Sequence, residues 1–307
     1  MKGFKITEAL AVLARRVGRA LSLPRASHGL AHVCVCAFVL LSWSLPGVVS
    51  ERTRVSDAAR LSDDEIDEVL QRAAQTALGG RDGVVLVLDA QTGRVRGVAN
   101  ARAAFEEAMP PGSSIKPFTA LTALRAGALD EETRVFCRVR YKHENFHITC
   151  SHPRYNSAFG PAQALANSCN YFFARVAESL DGDLYARTLR TFGFGAQTRG
   201  GGERESAGQL PRAVPGVPEM LGDSDELRVT PAQLITAYAA LFNGGRLLVP
   251  QRTSASAFAP RVRSAVEIEP RQRALLLAGM RGAVAYVTAA SAGLATLPVY
   301  VFGKTGT

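Results

Sequence analysis

The chain has 307 residues, of which 47% are hydrophobic and 21% charged, and a formal net charge of +9. That length and balance suit one large domain with an appendage and exclude a disordered or fibrous chain. The charge is uneven: residues 1–28 carry Lys2, Lys5, Arg15, Arg16, Arg19 and Arg25 against Glu8 alone, which makes a basic flank rather than a nucleic-acid-binding face.

The flank leads into Gly29 to Val49, an apolar run without Lys, Arg, Asp or Glu. A membrane-spanning helix needs about 20 apolar residues, and cations on the N-terminal side hold that side in the cytoplasm. The predicted organisation is a basic cytoplasmic segment over 1–28, a membrane anchor or signal sequence over 29–49, a linker and amphipathic helix over 50–81, and the main domain over 82–307. An uncleaved anchor is the preferred reading, because the basic region is long for a signal peptide, although Val48 and Ser50 are small enough for a cleavage site. Either reading exports the chain beyond Ser50. The expected location is the inner membrane, single-pass, with the main domain on the periplasmic side.

Ser62-Asp63-Asp64-Glu65 reads as a capping box. Ile66, Val69, Leu70, Ala73, Ala74 and Ala77 then recur at helical spacing, and Gly79-Gly80 ends the helix. Val84 to Ala90 reads as a buried strand, Asp89 to Gly93 as a turn, and Arg94 to Ala99 as the returning hairpin strand. Pro110-Pro111-Gly112 breaks the chain before a helix through Phe118, Leu121 and Leu124. Residues 130–160 are polar and predicted as loop. Gly160-Pro161 opens a short helix to Asn167, and a second runs from Tyr171 to Leu180. Residues 193–228, rich in Gly and Pro, are predicted as a long loop. Thr230-Pro231 starts a helix that Gly244-Gly245 ends, and Glu269-Pro270 starts another. Pro298 to Phe302 reads as a last short strand. There are no internal repeats.

Three strings carry chemistry. Ser113 and Lys116 are three residues apart, which on a helix puts both on one face. A serine hydroxyl becomes a nucleophile when a neighbouring base takes its proton, and a lysine serves as that base once burial makes it neutral. Ser168-Cys169-Asn170 lies between two predicted helices. A second hydroxyl there can pass a proton to a leaving amine, and the Asn170 amide can hold a peptide carbonyl or orient the lysine. Lys304-Thr305-Gly306-Thr307 follows a strand. A cation with hydroxyls suits a substrate carboxylate, and Gly306 lets a ligand backbone approach closely. Each string alone is as well explained by helix caps or a turn; their order in an exported chain carries the weight.

Taken together, the chain resembles the transpeptidase domain of penicillin-binding proteins. The resemblance covers about residues 83–307 and rests on Val84–Gly93, Pro111-Gly112-Ser113-Ser114-Ile115-Lys116-Pro117-Phe118, Ala164–Asn170, Phe192-Gly193-Phe194-Gly195, Arg228–Leu234 through Asn243-Gly244-Gly245, and Lys304-Thr305-Gly306. It implies an α/β (α+β) fold of the β-lactamase/transpeptidase type. An antiparallel sheet is flanked by helices, and an all-helical subregion lies between residues 113 and 290. It implies a D,D-transpeptidase that acts on D-Ala-D-Ala stem peptides of peptidoglycan, is inhibited by β-lactam antibiotics, and needs no cofactor. Ser113 would be acylated, Lys116 its base and Ser168 the proton relay. Asn170 would bind the acyl-donor peptide, Lys304, Thr305 and Thr307 would grip the terminal carboxylate, and the amides of Ser113 and Thr307 would form the oxyanion hole.

The family's sheet continues past the third motif with two strands and a helix, whereas the sequence given ends at Thr307. The expectation is a domain incomplete at its C-terminus, a gap between the Pro298–Phe302 and Val84–Ala90 strands, and weak turnover. Nothing resembles a glycosyltransferase domain. Cys137, His143, His147, Cys150 and His152 form a dense cluster. Three readings stay open: a Cys137–Cys150 disulfide, as paired cysteines in relatives suggest; a low-probability zinc site; or unpaired polar residues. The alternative enzymes are a serine β-lactamase or a D,D-carboxypeptidase-type hydrolase, which must activate water; Glu203 and Glu205 are the carboxylates nearest to such a role, without a recognisable context. A non-catalytic β-lactam-binding homologue and an inactive truncated homologue without function are the remaining alternatives.

Overall fold

The computed structural model describes residues 61–307 and, before them, the backbone of two short strands, β1 (His32–Cys34) and β2 (Ala37–Val39). Helix α1 (Asp63–Leu78) starts with the predicted capping box, Ser62 Oγ accepting from Glu65 N while Ser62 N donates to the Glu65 carboxylate at 2.7 Å. Strands β3 (Val85–Leu88) and β4 (Val95–Ala99) form the predicted hairpin, with Val85 opposite Ala99 and Leu86 opposite Val98. Helix α1 lies over it. Gln71 exchanges two hydrogen bonds with the backbone of Val98, at 2.8 and 2.9 Å. Arg94 and Arg96 pair with Asp63 and Asp67. The helix thereby covers an edge strand that would otherwise offer free backbone groups.

Helix α2 (Ala101–Glu106) comes next, then a single 3₁₀ turn (Gly112–Ile115) that runs directly into α3 (Lys116–Arg125). Helices α4 (Pro161–Ala166) and α5 (Asn170–Ala177) are the predicted pair. Helix α6 (Gly182–Thr191) was not predicted, although Asp181 caps it by accepting from Asp183 N and Leu184 N. The long loop also holds a short helix, α7 (Val217–Leu221). Helices α8 (Pro231–Phe242) and α9 (Pro270–Ala285) begin at the predicted prolines.

The expectation of an all-helical subregion needs correction. Strands β5 (Arg140–His143) and β6 (Phe146–Thr149) form a hairpin inside the stretch predicted as loop, and β7 (Arg246–Leu248) pairs with β8 (Val262–Ala265). In the first hairpin only Tyr141 is buried on β5, so its strands lack an apolar stripe and their alternation is hidden among charges. The last strand is β9 (Tyr300–Phe302).

The main sheet has the order β4-β3-β2-β1-β9 and is mixed rather than antiparallel. β3–β4 and β1–β2 are antiparallel, while β2 meets β3 and β1 meets β9 in parallel, the latter with Val33 opposite Val301. The expected gap beside β9 is thus occupied by strands from the apolar run. Those six residues are extended; the rest of the 29–49 stretch, with the predicted anchor, lies outside the described residues. Among the described residues no helix is long and apolar enough to cross a membrane.

The largest core sits among the helices. The ring of Phe118 meets those of Phe192, Phe194 and Tyr238 edge-on, at 5.0, 5.2 and 5.5 Å between centroids. Phe172 and Phe173 of α5 extend the same core. Such aromatic clusters bury large areas in defined orientations and so fix α3, which carries the first motif at its start.

Candidate active site

Ser113 lies in the 3₁₀ turn and is 8% exposed. Lys116, the first residue of α3, is fully buried. The turn is held from behind, where Tyr238 Oη donates to Ser114 O at 2.6 Å and Thr119 Oγ1 donates to Met220 O at 2.6 Å. Gly112 has φ of +54°. A Cβ there would stand 2.4 Å from Thr307 O, and a Cβ on Gly222 would stand 2.0 Å from Gly112 O. Three backbone segments therefore stack in direct contact beside Ser113, without side chains between them.

Lys116 Nζ donates to Ser168 O at 3.0 Å and to Asn170 Oδ1. Burial lowers its pKa from the ordinary lysine value to about 8. A neutral amine has two N–H donors and one lone pair. With both donors used on Ser168 and Asn170, the lone pair remains to take a proton. The second motif is itself held in an uncommon conformation. Ser168 has φ of +53°, Cys169 caps α5, and Asn170 Nδ2 donates to Thr149 O at 2.9 Å. Lys304 Nζ donates to Ser168 Oγ at 2.7 Å and to Thr305 O at 2.7 Å. Its pKa lies well below the ordinary value, first from burial and then from the charge of Lys116. Ser168 Oγ accepts from Lys304 and keeps its own hydrogen to donate. Hydrogen bonds thus bring Lys116, Ser168, Asn170 and Lys304 together, Ser113 lies in the turn that leads into Lys116, and Gly306 stands against Pro111 and Ser114. Thr305 is half-buried and Thr307 exposed.

The family model for the penicillin binding protein transpeptidase domain matches residues 83–307. This chain belongs to that family. Solved structures with the same fold include the apo transpeptidase domain of penicillin-binding protein 3 from Burkholderia pseudomallei, at 21% identity, TM-score 0.59, over 72% of this chain and 68% of that one. A peptidoglycan glycosyltransferase from Burkholderia ambifaria matches at 18% identity and TM-score 0.61, over 73% and 72% of the two chains. Penicillin-binding protein 2 of Pseudomonas aeruginosa, in complex with WCK 5153, matches at 24% identity and TM-score 0.66, over 77% and 65%. The curated proteins include no match.

In this transpeptidase domain the predicted cysteine–histidine cluster divides. Cys137, Cys150 and His152 come together and are joined by Cys169, which sequence reasoning placed only in the second motif. His143 and His147 stand exposed on the β5–β6 hairpin, away from the set. The Cys137–Cys150 disulfide is not formed. Their sulfurs are 3.7 Å apart, and Cys137, Cys150 and Cys169 are free, where a disulfide needs about 2.05 Å. Glu205 is buried with its carboxylate accepting from Thr198 N, Thr198 Oγ1 and, at 3.1 Å, Gly201 N. Glu203 is exposed. Glu205 therefore braces its own loop and offers nothing toward activating a water.

Proposed function

We propose that this chain is a D,D-transpeptidase that cross-links peptidoglycan stem peptides through an acyl-enzyme on Ser113. Lys116 takes the Ser113 proton as Oγ attacks the carbonyl of the penultimate D-Ala. The amides of Ser113 and Thr307 receive the developing oxyanion, typically a contribution of a few kcal/mol. The C–N bond breaks, Ser168 supplies the proton to the departing D-Ala amine, and the relay is refilled from Lys116. An acceptor amine then attacks the ester, and Ser113 recovers its proton. Lys304 with Thr305 and Thr307 holds the terminal carboxylate, and Asn170 the donor peptide. β-Lactams enter by the same carbonyl chemistry.

The observation that carries this reading is the contact chain Asn170–Lys116–Ser168–Lys304. It joins all three motifs through hydrogen bonds around a buried, depressed lysine three residues from a serine. A β-lactamase that activates water through a carboxylate is the weaker reading, since Glu205 is committed to its loop. We also place the domain outside the cytoplasm, where its peptidoglycan substrate lies; a membrane-spanning helix over residues 29–49 does not fit beside His32–Cys34 and Ala37–Val39 as strands of the main sheet.

The test is the intact mass of the full chain after incubation with penicillin, beside Ser113→Ala. One drug mass added to the wild type and none to the variant supports the reading. A wild-type chain that stays unmodified while folded overturns it. Slow loss of the adduct separates a transpeptidase from a β-lactamase, in which the adduct turns over rapidly.

A further inference from the structure

Beside the second motif lies a set of side chains that acyl transfer does not use. Cys137 precedes β5, Cys150 and His152 come after β6, and Cys169 caps α5. The Cys137–Cys150 and Cys150–Cys169 sulfur pairs are each 3.7 Å apart, the Cys169–Cys137 pair 3.5 Å. Cys137 Sγ is 3.7 Å from His152 Nε2. All four ligand atoms lie within 4.8 Å of one another. A tetrahedral zinc with Zn–S of about 2.3 Å has S···S edges of about 3.8 Å and S···N edges of about 3.5 Å. The three sulfurs already stand at that spacing, far from disulfide distance.

The surroundings suit thiolates and a ligating imidazole. Each sulfur faces one backbone amide. Val139 N donates to Cys137 Sγ at 3.2 Å, Tyr171 N to Cys150 Sγ at 3.3 Å and Phe172 N to Cys169 Sγ at 3.4 Å. Amides aimed at sulfur stabilise the negative charge a metal-bound thiolate keeps. His152 Nδ1 lies 2.7 Å from Pro153 O. A hydrogen bond donated there fixes the tautomer and leaves the Nε2 lone pair facing the sulfurs, the usual arrangement behind a ligating histidine. Cys150, Cys169 and His152 are buried.

We propose that Cys137, Cys150, Cys169 and His152 bind one zinc ion in a closed structural site. Three thiolates and one imidazole at tetrahedral spacing select zinc over the oxygen-seeking cations. Binding releases the three thiol protons to solvent. Protein atoms fill all four positions, so no water is activated there. The ion acts as a tether. It ties the 137–152 segment to Cys169, whose neighbours in the chain are Ser168 and Asn170, and so holds the second motif against Lys116.

The experiment uses the full chain, purified without a metal-binding tag and counted for metal by mass spectrometry. The expected result is one zinc per chain. Replacement by cobalt should give thiolate-to-cobalt charge transfer and the intense visible bands of a tetrahedral site. Cys137→Ser should lose the metal, while His143→Ala and His147→Ala keep it. Because a serine variant could fail to fold, Cys137→His provides the second arm: it should keep cobalt and lose about a third of the charge-transfer intensity. A folded chain that stays metal-free in zinc solution overturns the site, and so does an intact mass short of two hydrogens, which would mean a disulfide. The tether rests on the proposed function: stripping zinc should slow penicillin adduct formation about 100-fold, and adding zinc should restore it. Zinc bound without any adduct would refute the transpeptidase reading and leave the metal site standing. Adduct formed at full rate on a stripped, metal-free chain would refute the tether.

Discussion

The side of the site that carries Ser113 and Lys116 and the side that carries Lys304 are built differently. Ser113 and Lys116 sit at the start of α3, whose Phe118 is enclosed by Phe192, Phe194 and Tyr238. Ser168 and Asn170 sit at the start of α5, above Phe172 and Phe173. The third motif instead trails from a three-residue strand. It is held by the parallel pairing of β9 with β1, the Phe302–Phe242 ring contact at 5.5 Å, a backbone bond from Gly303 N to Met280 O at 3.0 Å, and Lys304 itself. In the proposed mechanism the groups that move protons are those fixed by a packed core, where placement matters to a fraction of an ångström. In the same mechanism the group that receives a charged substrate end, Lys304, rests on lighter support.

Removing the base should break the comparison most severely. Lys116→Ala should slow penicillin acylation by about 10²–10⁴-fold, measured as adduct per unit time, with little change in the unfolding midpoint. Lys304→Ala should act instead on the concentration of drug needed. If both variants fall equally in the saturated rate, the division of roles is wrong.

The packing difference comes next. Phe118→Ala should destabilise the domain by about 3–5 kcal/mol, whereas Val301→Ala, also buried, should cost about 1–2 kcal/mol. Urea unfolding of both variants gives the answer, and equal losses would mean that the two sides are equally cohesive.

The pH profile sharpens the assignment of the base. With its pKa lowered to about 8 by burial, Lys116 is protonated and inactive below that pH and free above it. Acylation should therefore rise about tenfold per pH unit below about 8 and level off above it. A rate still climbing past pH 10 would mean an ordinary lysine. The smallest effect belongs to Tyr238→Phe, which removes the bond to Ser114 O. It should cost about 1 kcal/mol of stability and slow acylation a few-fold.

Much of this was legible in the sequence. Capping residues and prolines placed α1, α4 and α8, and the start of α9, to within a residue or two, because those signals are local. The two hairpins between residues 140 and 265 were not legible. Their strands are three or four residues long, and the first buries only Tyr141 among Arg140, Lys142 and His143. Helix α6 left a readable mark in Asp181 and the Tyr185–Leu189 spacing, which its glycine start obscured. The three motifs were found by their order. Their junction was not, since the Lys304–Ser168 bond spans 136 residues. Cys169 was missed as a partner of Cys137 for the same reason: a separation of 32 residues carries no periodic signal.

The stacked backbones of Gly112, Gly222 and Thr307 have a consequence for how such a domain can change under selection by antibiotics. A wall of main chain presents the same surface whatever side chains surround it, so point mutations have only the Thr307 side chain and the two glycines there to alter. Either glycine, once substituted, would push a methyl group into a neighbouring carbonyl. Changes in drug binding must then come from side chains elsewhere in the site, and the backbone stack beside Ser113 is passed on unaltered.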